Sequence, residues 1–308
     1  MQHLRSLEEA KLQESWVTIG MFDGVHLGHQ VILHKLIGGA HQVGVPAVVI
    51  TFHPHPGQVL GKRNGVNYLT LPDERAHLLG ELGVDIVITL TFDRLLASLT
   101  AREFMQRLSH HLGVGHMVVG HDFALGRGRE GNVAVLTQIG SDLGYSVEQA
   151  PQVMFKDEIV SSSNIRSWLA QGNVERAAQL LGRSYGVVGT VIHGDGRGRT
   201  IGIPTANLEL PAGRAIPMAG VYACRVGLDG KVWGAVTNVG FRPTFENQPV
   251  TARVETHLLD FDRELYGLEL PVEFIARLRD EQRFPGIQAL VEQIHNDILR
   301  ARQILNDP

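Results

Sequence analysis

Over the first 150 residues, short apolar runs alternate with stretches whose apolar positions recur every three or four residues. Val17-Thr-Ile19 is the first run. A glycine-bearing loop separates it from Val31, Ile32, Leu33, Leu36, Ile37 and Ala40, which share one face of a predicted helix that Gly44 stops. Ala47–Phe52 reads as a buried strand, and strand, crossover helix and strand together make a βαβ unit and hence a parallel sheet. The alternation predicts a helix over 72–82, a strand over 84–90, a helix opened by the capping box Thr100-Ala-Arg-Glu103, a strand over 117–121, a helix over 133–143 and a strand over 145–150. Ser161–Gly182 is helical, with Asn173 capping the second of two short helices.

Beyond Tyr185 the period changes to that of strands, at 187–193, 220–226, 231–236, 253–259 and 270–276, and Asp229-Gly230 is a two-residue hairpin signal. Strands without helices between them predict an antiparallel sheet or small barrel. A last amphipathic helix over 287–305 carries Leu290, Val291, Ile294, Ile298 and Leu299 as its apolar stripe. The change of pattern near 182–186 divides the chain into expected domains 1–183 and 184–308.

Composition narrows the class. The chain has 308 residues, 44% hydrophobic and 19% charged, as a soluble globular protein would. A net charge of −4 gives no general pull toward nucleic acid, and no apolar run is long enough to span a membrane. The first residues are polar and lack a signal-peptide core, and the single Cys224 fits a reducing compartment, so a cytoplasmic location is expected. Nothing in the sequence sets an oligomeric state.

Four segments at strand ends are candidates for chemistry. His26-Leu-Gly-His29 lies between a strand and a helix, where unpaired N–H groups favour a phosphate. Taken bare it is a surface turn with two solvated histidines; its context favours phosphate, and zinc is the weaker reading with no cysteine nearby. Thr51-Phe-His-Pro-His-Pro56 is an extended or turning loop that shapes a pocket wall or simply exposes its histidines. Gly120–Asn132, with Arg127 and Arg129, suits an anion loop and equally a solvated basic turn. Ser161-Ser-Ser-Asn-Ile-Arg166 either caps a helix, the cheaper explanation, or binds phosphate. In the second half, four glycines and two arginines between Gly194 and Gly202 suit phosphates or a hairpin tip. Thr205 and Asn207 offer oxygens on one side of an extended segment, as magnesium prefers. Glu255, on a strand-like run, is by pattern alone a solvated residue.

Jointly the segments GMFDGVHLGHQ, TFHPHP, GHDFALG and SSSNIR resemble the adenylyltransferase module of bacterial bifunctional riboflavin kinase/FAD synthetases, within the nucleotidyltransferase superfamily. GIPTANL, GVYA, NVGFRPTF, VETHLLDF and LRDEQRF resemble the riboflavin kinase module of the same family, in the same order. The resemblance implies a Rossmann-like parallel sheet followed by a small antiparallel β-barrel with a C-terminal helix. It implies a two-step enzyme that phosphorylates riboflavin to FMN with ATP and then adenylylates FMN to FAD, with Mg²⁺ as cofactor and riboflavin, FMN and ATP as its small-molecule substrates.

In the first module it assigns His26 and His29 to catalysis at the ATP phosphates, and Gly20, Phe22, Gly28, Ser161, Ser162, Ser163 and Arg166 to ATP binding. Flavin contacts fall to Pro54, His55, Pro56, Asp122 and Phe123. In the second it assigns Gly194, Arg197 and Gly198 to ATP, Thr205 and Asn207 to Mg²⁺, Glu255 to the base, and Arg279 and Phe284 to flavin. Ser163, Leu125, Asn132, Ile203 and Thr256 stand where the family usually has threonine, phenylalanine, aspartate, phenylalanine and valine. A sister adenylyltransferase with another acceptor is disfavoured by PTAN and VETHLLDF, and a non-catalytic nucleotide binder by the intact His26, His29, Thr205, Asn207 and Glu255. The absence of a KMSKS-like motif argues against a class I aminoacyl-tRNA synthetase.

Overall fold

The computed structural model describes residues 1–62, 66–194, 198, 201–242 and 251–306. The chain forms two compact units, Met1–Ser162 and Ser163–Pro308. The first contains β1 (Gln2–Leu4), β2 (Ser15–Ile19), α1 (Leu27–Val43), β3 (Ala47–His53), the single-turn α2 (Pro56–Val59), α3 (Pro72–Glu81), β4 (Ile86–Thr91), α4 (Arg94–Ser98), α5 (Ala101–Leu112) and β5 (Val114–Val119). A short hairpin of β6 (Ala124–Leu125) and β7 (Gly131–Asn132) precedes α6 (Val133–Leu143) and β8 (Ser146–Gln149). A second pairs β9 (Met154–Phe155) with β10 (Glu158–Ile159).

The larger sheet is parallel, in the order β1-β4-β3-β2-β5-β8. From β2 the chain winds outward through β3 and β4, then returns to the other side of β2 for β5 and β8. That makes the β2–β5 boundary the switch point, outside whose carboxyl ends open α/β sheets bind ligands. Both faces are covered, so the strands are apolar on both sides. Val48 and Ile50 of β3 face α5 and α6, packing near Met105, Leu108 and Leu136, while Ala47 and Val49 face α1 and α3, near Leu33, Leu36 and Leu79. Gly44 ends α1 in the left-handed region, and Thr100 and Glu103 form the expected capping box of α5.

α7 (Ser162–Ala170) and α8 (Val174–Leu181), the latter capped by Asn173, lead into β11 (Tyr185–Ile192), β12 (Ala206–Glu209), β13 (Gly220–Leu228), β14 (Lys231–Arg242), β15 (Thr251–Leu258), β16 (Glu269–Arg279) and α9 (Ile287–Asn306). The strands close into an antiparallel barrel, β11-β12-β15-β14-β13-β16. Asp229 and Gly230, with φ of 52° and 71°, make the hairpin turn between β13 and β14.

Inside the barrel lie Val187, Val272, Phe274 and Tyr222, and also Cys224, whose thiol burial pushes up to about 12. A buried hydroxyl pair, Thr237 with Thr256 at 3.1 Å, makes a polar cross-strand contact there. Val221, Ala223 and Val236 face outward against Ala301, Ile298 and Leu305 of α9. One sequence expectation fails on α9: Leu299 is 60% exposed, and Asp297 takes a buried place instead because Arg279 neutralises it from β16.

Candidate active sites

Because β3, β2 and β5 are neighbours in a parallel sheet, the segments that follow them leave from the same edge. They carry Pro54–Pro56, the loop Gly20–Leu27 and Gly120–Phe123. Phe22, Gly24 and Val25 hold φ of 47°, 85° and 43°, a left-handed backbone that Phe and Val rarely accept. The loop delivers His26 as the N-cap of α1, its Nδ1 accepting from His29 N at 3.3 Å. An accepting Nδ1 leaves the ring proton on Nε2, as a donor. The two imidazoles stack with centroids 3.5 Å apart, and Phe22 meets His29 edge-on at 5.0 Å.

Packed protein, then His26, then Arg75 push the His29 pKa well below its ordinary value, so this imidazole is neutral at neutral pH. Its Nδ1 is buried without a hydrogen-bond partner among the described residues. Gly28 is required by closeness: a Cβ there would stand 3.1 Å from the His26 ring and 3.3 Å from Val160 O. Helix N–H groups, a neutral His29 stacked on His26 and a backbone bare of side chain at Gly28 form a surface suited to polyphosphate.

The other expected residues of this site fare unevenly. Gly20, directly after β2, packs against Phe22, whose ring would lie 3.0 Å from a Cβ there. The Ser162 hydroxyl donates to Asp23 O at 2.8 Å, so it braces the loop. Ser161 precedes α7 and is half-buried; Ser163 and Arg166 lie further along α7, exposed and half-buried respectively. His55 caps α2 by accepting from Gly57 N at 2.9 Å, with Pro54 before it and Pro56 as the first helical residue. Asp122 is exposed, and Phe123 packs on the sheet core. Asn132 does the capping work of an aspartate, accepting from Val135 N at 3.1 Å.

The second site follows from register. Across the barrel, Asn207 stands opposite Glu255, Glu255 opposite Asn238, Asn238 opposite Val221 and Val221 opposite Arg279. Opposed residues share a face, so one row gathers these groups on the outer surface. A cavity of about 360 Å³ lies between that row and α9, lined also by Gly198, Thr205, Phe284 and Ile294. Glu255 pairs with Arg253, two residues along the same strand face.

Asn207 abuts Gly194, where a Cβ would fall 2.1 Å from its amide nitrogen, and a Cβ on Gly198 would fall 2.3 Å from Ile203 O and 3.4 Å from Thr205 Oγ1. Glycine at 194 and 198 therefore lets the backbone at those two positions come close to the two expected metal ligands. Arg279 is fixed by Asp297 through Nε at 2.9 Å and Nη2 at 2.8 Å, and lies 5.7 Å from the Phe284 ring. Arg197 and residues 243–250, which include the end of NVGFRPTF, lie outside the described residues. Asn238, Arg253, His257 and Asp297 were missed by sequence reasoning. His257 Nδ1 donates to Pro204 O at 2.7 Å and so anchors the turn before Thr205. The alternation of β15 could have marked Arg253 and His257 as sharing the Glu255 face; nothing local marks Asp297.

A doubly wound α/β unit with an imidazole pair at its switch point, joined in one chain to a barrel with a carboxylate and neutral oxygens beside a glycine loop, defines a nucleotide-handling protein with two centres. Residues 8–164 match the FAD synthetase family and residues 181–305 the riboflavin kinase family. The bifunctional riboflavin kinase/FMN adenylyltransferase of Bacillus subtilis is 39% identical, over 96% of this chain and 93% of its own. That of Pseudomonas fluorescens is 40% identical over 99% and 98%, and that of Escherichia coli K12 37% over 97% and 96%. The chain belongs to the bifunctional riboflavin kinase/FMN adenylyltransferase family. A crystal structure from Streptococcus pneumoniae described as a macrolide-efflux protein superposes with a TM-score of 0.89 at 31% identity, covering 97% of this chain and 98% of that one. Among the described residues here, no helix is long and apolar enough to cross a membrane.

Proposed function

We propose that the two centres act in series on a flavin, in modules spanning residues 1–183 and 184–308. Family membership carries the activities: ATP-dependent phosphorylation of riboflavin to FMN, and adenylylation of FMN to FAD with release of pyrophosphate. In our reading Glu255 takes the proton of the ribityl 5′-hydroxyl as that oxygen attacks the γ-phosphorus and ADP leaves. The row Asn207–Glu255–Asn238–Arg279 facing one cavity is the observation that carries this assignment. Gly194, Arg197 and Gly198 hold the phosphates, and Arg279 with Phe284 holds the flavin ring.

Thr205 and Asn207 are the proposed Mg²⁺ ligands. Two neutral oxygens, with no group of three His, Cys, Asp or Glu able to hold a metal among the described residues, suit an ion that completes its shell with phosphate and water. Bound there, magnesium supplies neutralisation of phosphate charge.

In the first module a phosphate oxygen of FMN attacks the α-phosphorus of ATP and pyrophosphate leaves. The N–H groups opening α1, with His26 and His29, offset the charge that develops there, and Gly20, Phe22 and Gly28 shape the loop. Ser161, just before α7, and Ser162, Ser163 and Arg166 of α7 serve the phosphates, and Pro54, His55, Pro56, Asp122 and Phe123 the flavin. We place the enzyme in the cytoplasm, with the small molecules riboflavin, FMN and ATP as its substrates. Incubation with riboflavin, ATP and Mg²⁺, sampled by chromatography, is expected to show FMN first and FAD after it. FAD without transient FMN, or neither product from folded protein, would refute the series.

A further inference from the structure

Arg75 is the largest fully buried side chain among the described residues, yet it belongs to α3, distant in sequence from the loop Gly20–Leu27. Burying a guanidinium is costly unless every donor is used, so its partners show what it is for. Nη1 donates to Thr51 Oγ1 at 2.9 Å, Nη2 to Thr70 O at 2.9 Å and Nε to Thr70 Oγ1 at 3.4 Å. Both hydroxyls pass the contact on to the loop Gly20–Leu27. Thr51 Oγ1 donates to Met21 O at 3.1 Å; Thr70 Oγ1 accepts from Gly24 N at 2.9 Å and donates to the Asp23 carboxylate at 3.3 Å. That buried carboxylate also accepts from Leu69 N and Thr70 N at 3.2 and 2.9 Å, and lies 3.9 Å from Arg75 Nη2. Met21, Asp23 and Gly24 are thus each tied through a single guanidinium, on either side of the strained Phe22.

We propose that Arg75 is a positioning residue for adenylyl transfer, holding the left-handed loop that delivers His26 and His29 while touching no substrate itself. The inference rests on the assignment of this loop to FMN adenylylation. An arginine suits the place because its rigid fork reaches three acceptors at once, where a lysine offers one point. Its charge, shielded from water, also joins burial and His26 in disfavouring a proton on His29.

The test uses the full chain, whose riboflavin kinase activity serves as an internal control for folding. Arg75→Met is expected to lower kcat for FAD formation from FMN about 100-fold, the cost of misplacing reacting groups by roughly an ångström, with KM for ATP changing far less. Arg75→Lys, which keeps the charge and loses the fork, is expected to fall between Met and wild type. By NMR, the His29 titration midpoint should rise in Arg75→Met and stay closer to wild type in Arg75→Lys. A variant with normal melting and kinase activity that retained FAD formation within twofold would overturn the proposal. Should Arg75→Met not fold, Thr51→Val and Thr70→Val carry the test: each should slow FAD formation, and normal kcat in both would be equally fatal. If wild-type protein made no FAD, the assignment of the loop would fail instead.

Discussion

The first candidate site is delivered by a run of consecutive residues, Gly20–Leu27, while the second gathers side chains that β12, β15, β14, β13 and β16 bring into one row. The loop places its imidazoles by unusual φ angles braced from behind by Asp23, Thr51, Thr70 and Arg75. The barrel row needs no such backbone; ladder pairing aligns it, and a one-residue slip of β15 would turn Glu255 inward and Thr256 outward. The two sites are therefore vulnerable to different damage. A loop fails through the residues behind it, and a row fails through register or through its own side chains.

The sharpest way to break the comparison is to remove one group from each. Glu255→Ala should cut FMN formation by about 10³-fold, within the usual range for a lost general base, with FAD formation from supplied FMN unchanged. Separate assays with riboflavin and with FMN measure this, and equal losses in both would erase the division of labour. His29→Ala should lower FAD formation by roughly 10²-fold and leave FMN formation within twofold; kinase loss of similar size would sink the two-centre assignment.

A smaller effect probes how α9 serves the row. Asp297→Ala strips Arg279 of its buried partner, so the KM for riboflavin should rise about tenfold and stability should fall by about 3 kcal/mol. An unchanged KM would remove Arg279 from the flavin site.

The smallest effect is one of pH. The folded pKa of His29 lies below the 6.5 of the unfolded chain, so as pH falls through that value the unfolded state gains a proton that the folded state refuses. Urea titrations should show stability intact near neutral pH and falling in mild acid. His3 and His53, also depressed chiefly by burial, act in the same direction. His29→Gln should flatten the fall, and an identical slope would show that His29 titrates as an ordinary surface group.

Much of this was legible in the sequence, for local reasons. α6 has the predicted bounds Val133–Leu143, because Asn132 caps it and Gly144 ends it within a clean amphipathic pattern. The Asp229-Gly230 turn and the Thr100–Glu103 box carry their chemistry in adjacent residues. The placing of His26 and His29 together at the start of α1 was readable for the same reason, since the two are near neighbours in sequence. What escaped depends on distant partners. β1 has no alternation, and Gln2–Leu4 is a strand only because β4 lies beside it. Asn238 joins the site through register, as β14 runs on to Arg242 beyond the predicted 231–236. Arg75 and Asp297 look like solvated charges on polar helices, and only tertiary ion pairs reverse that.

Cys224, enclosed in the barrel with its thiol pushed up to about 12, is the sole sulfhydryl of the chain. A thiolate so disfavoured and so shielded will not compete for maleimides or iodoacetamides under native conditions. A spectroscopic label can therefore be attached at a cysteine introduced beside either site without first removing the native one, and each centre can be watched separately in an otherwise unaltered protein.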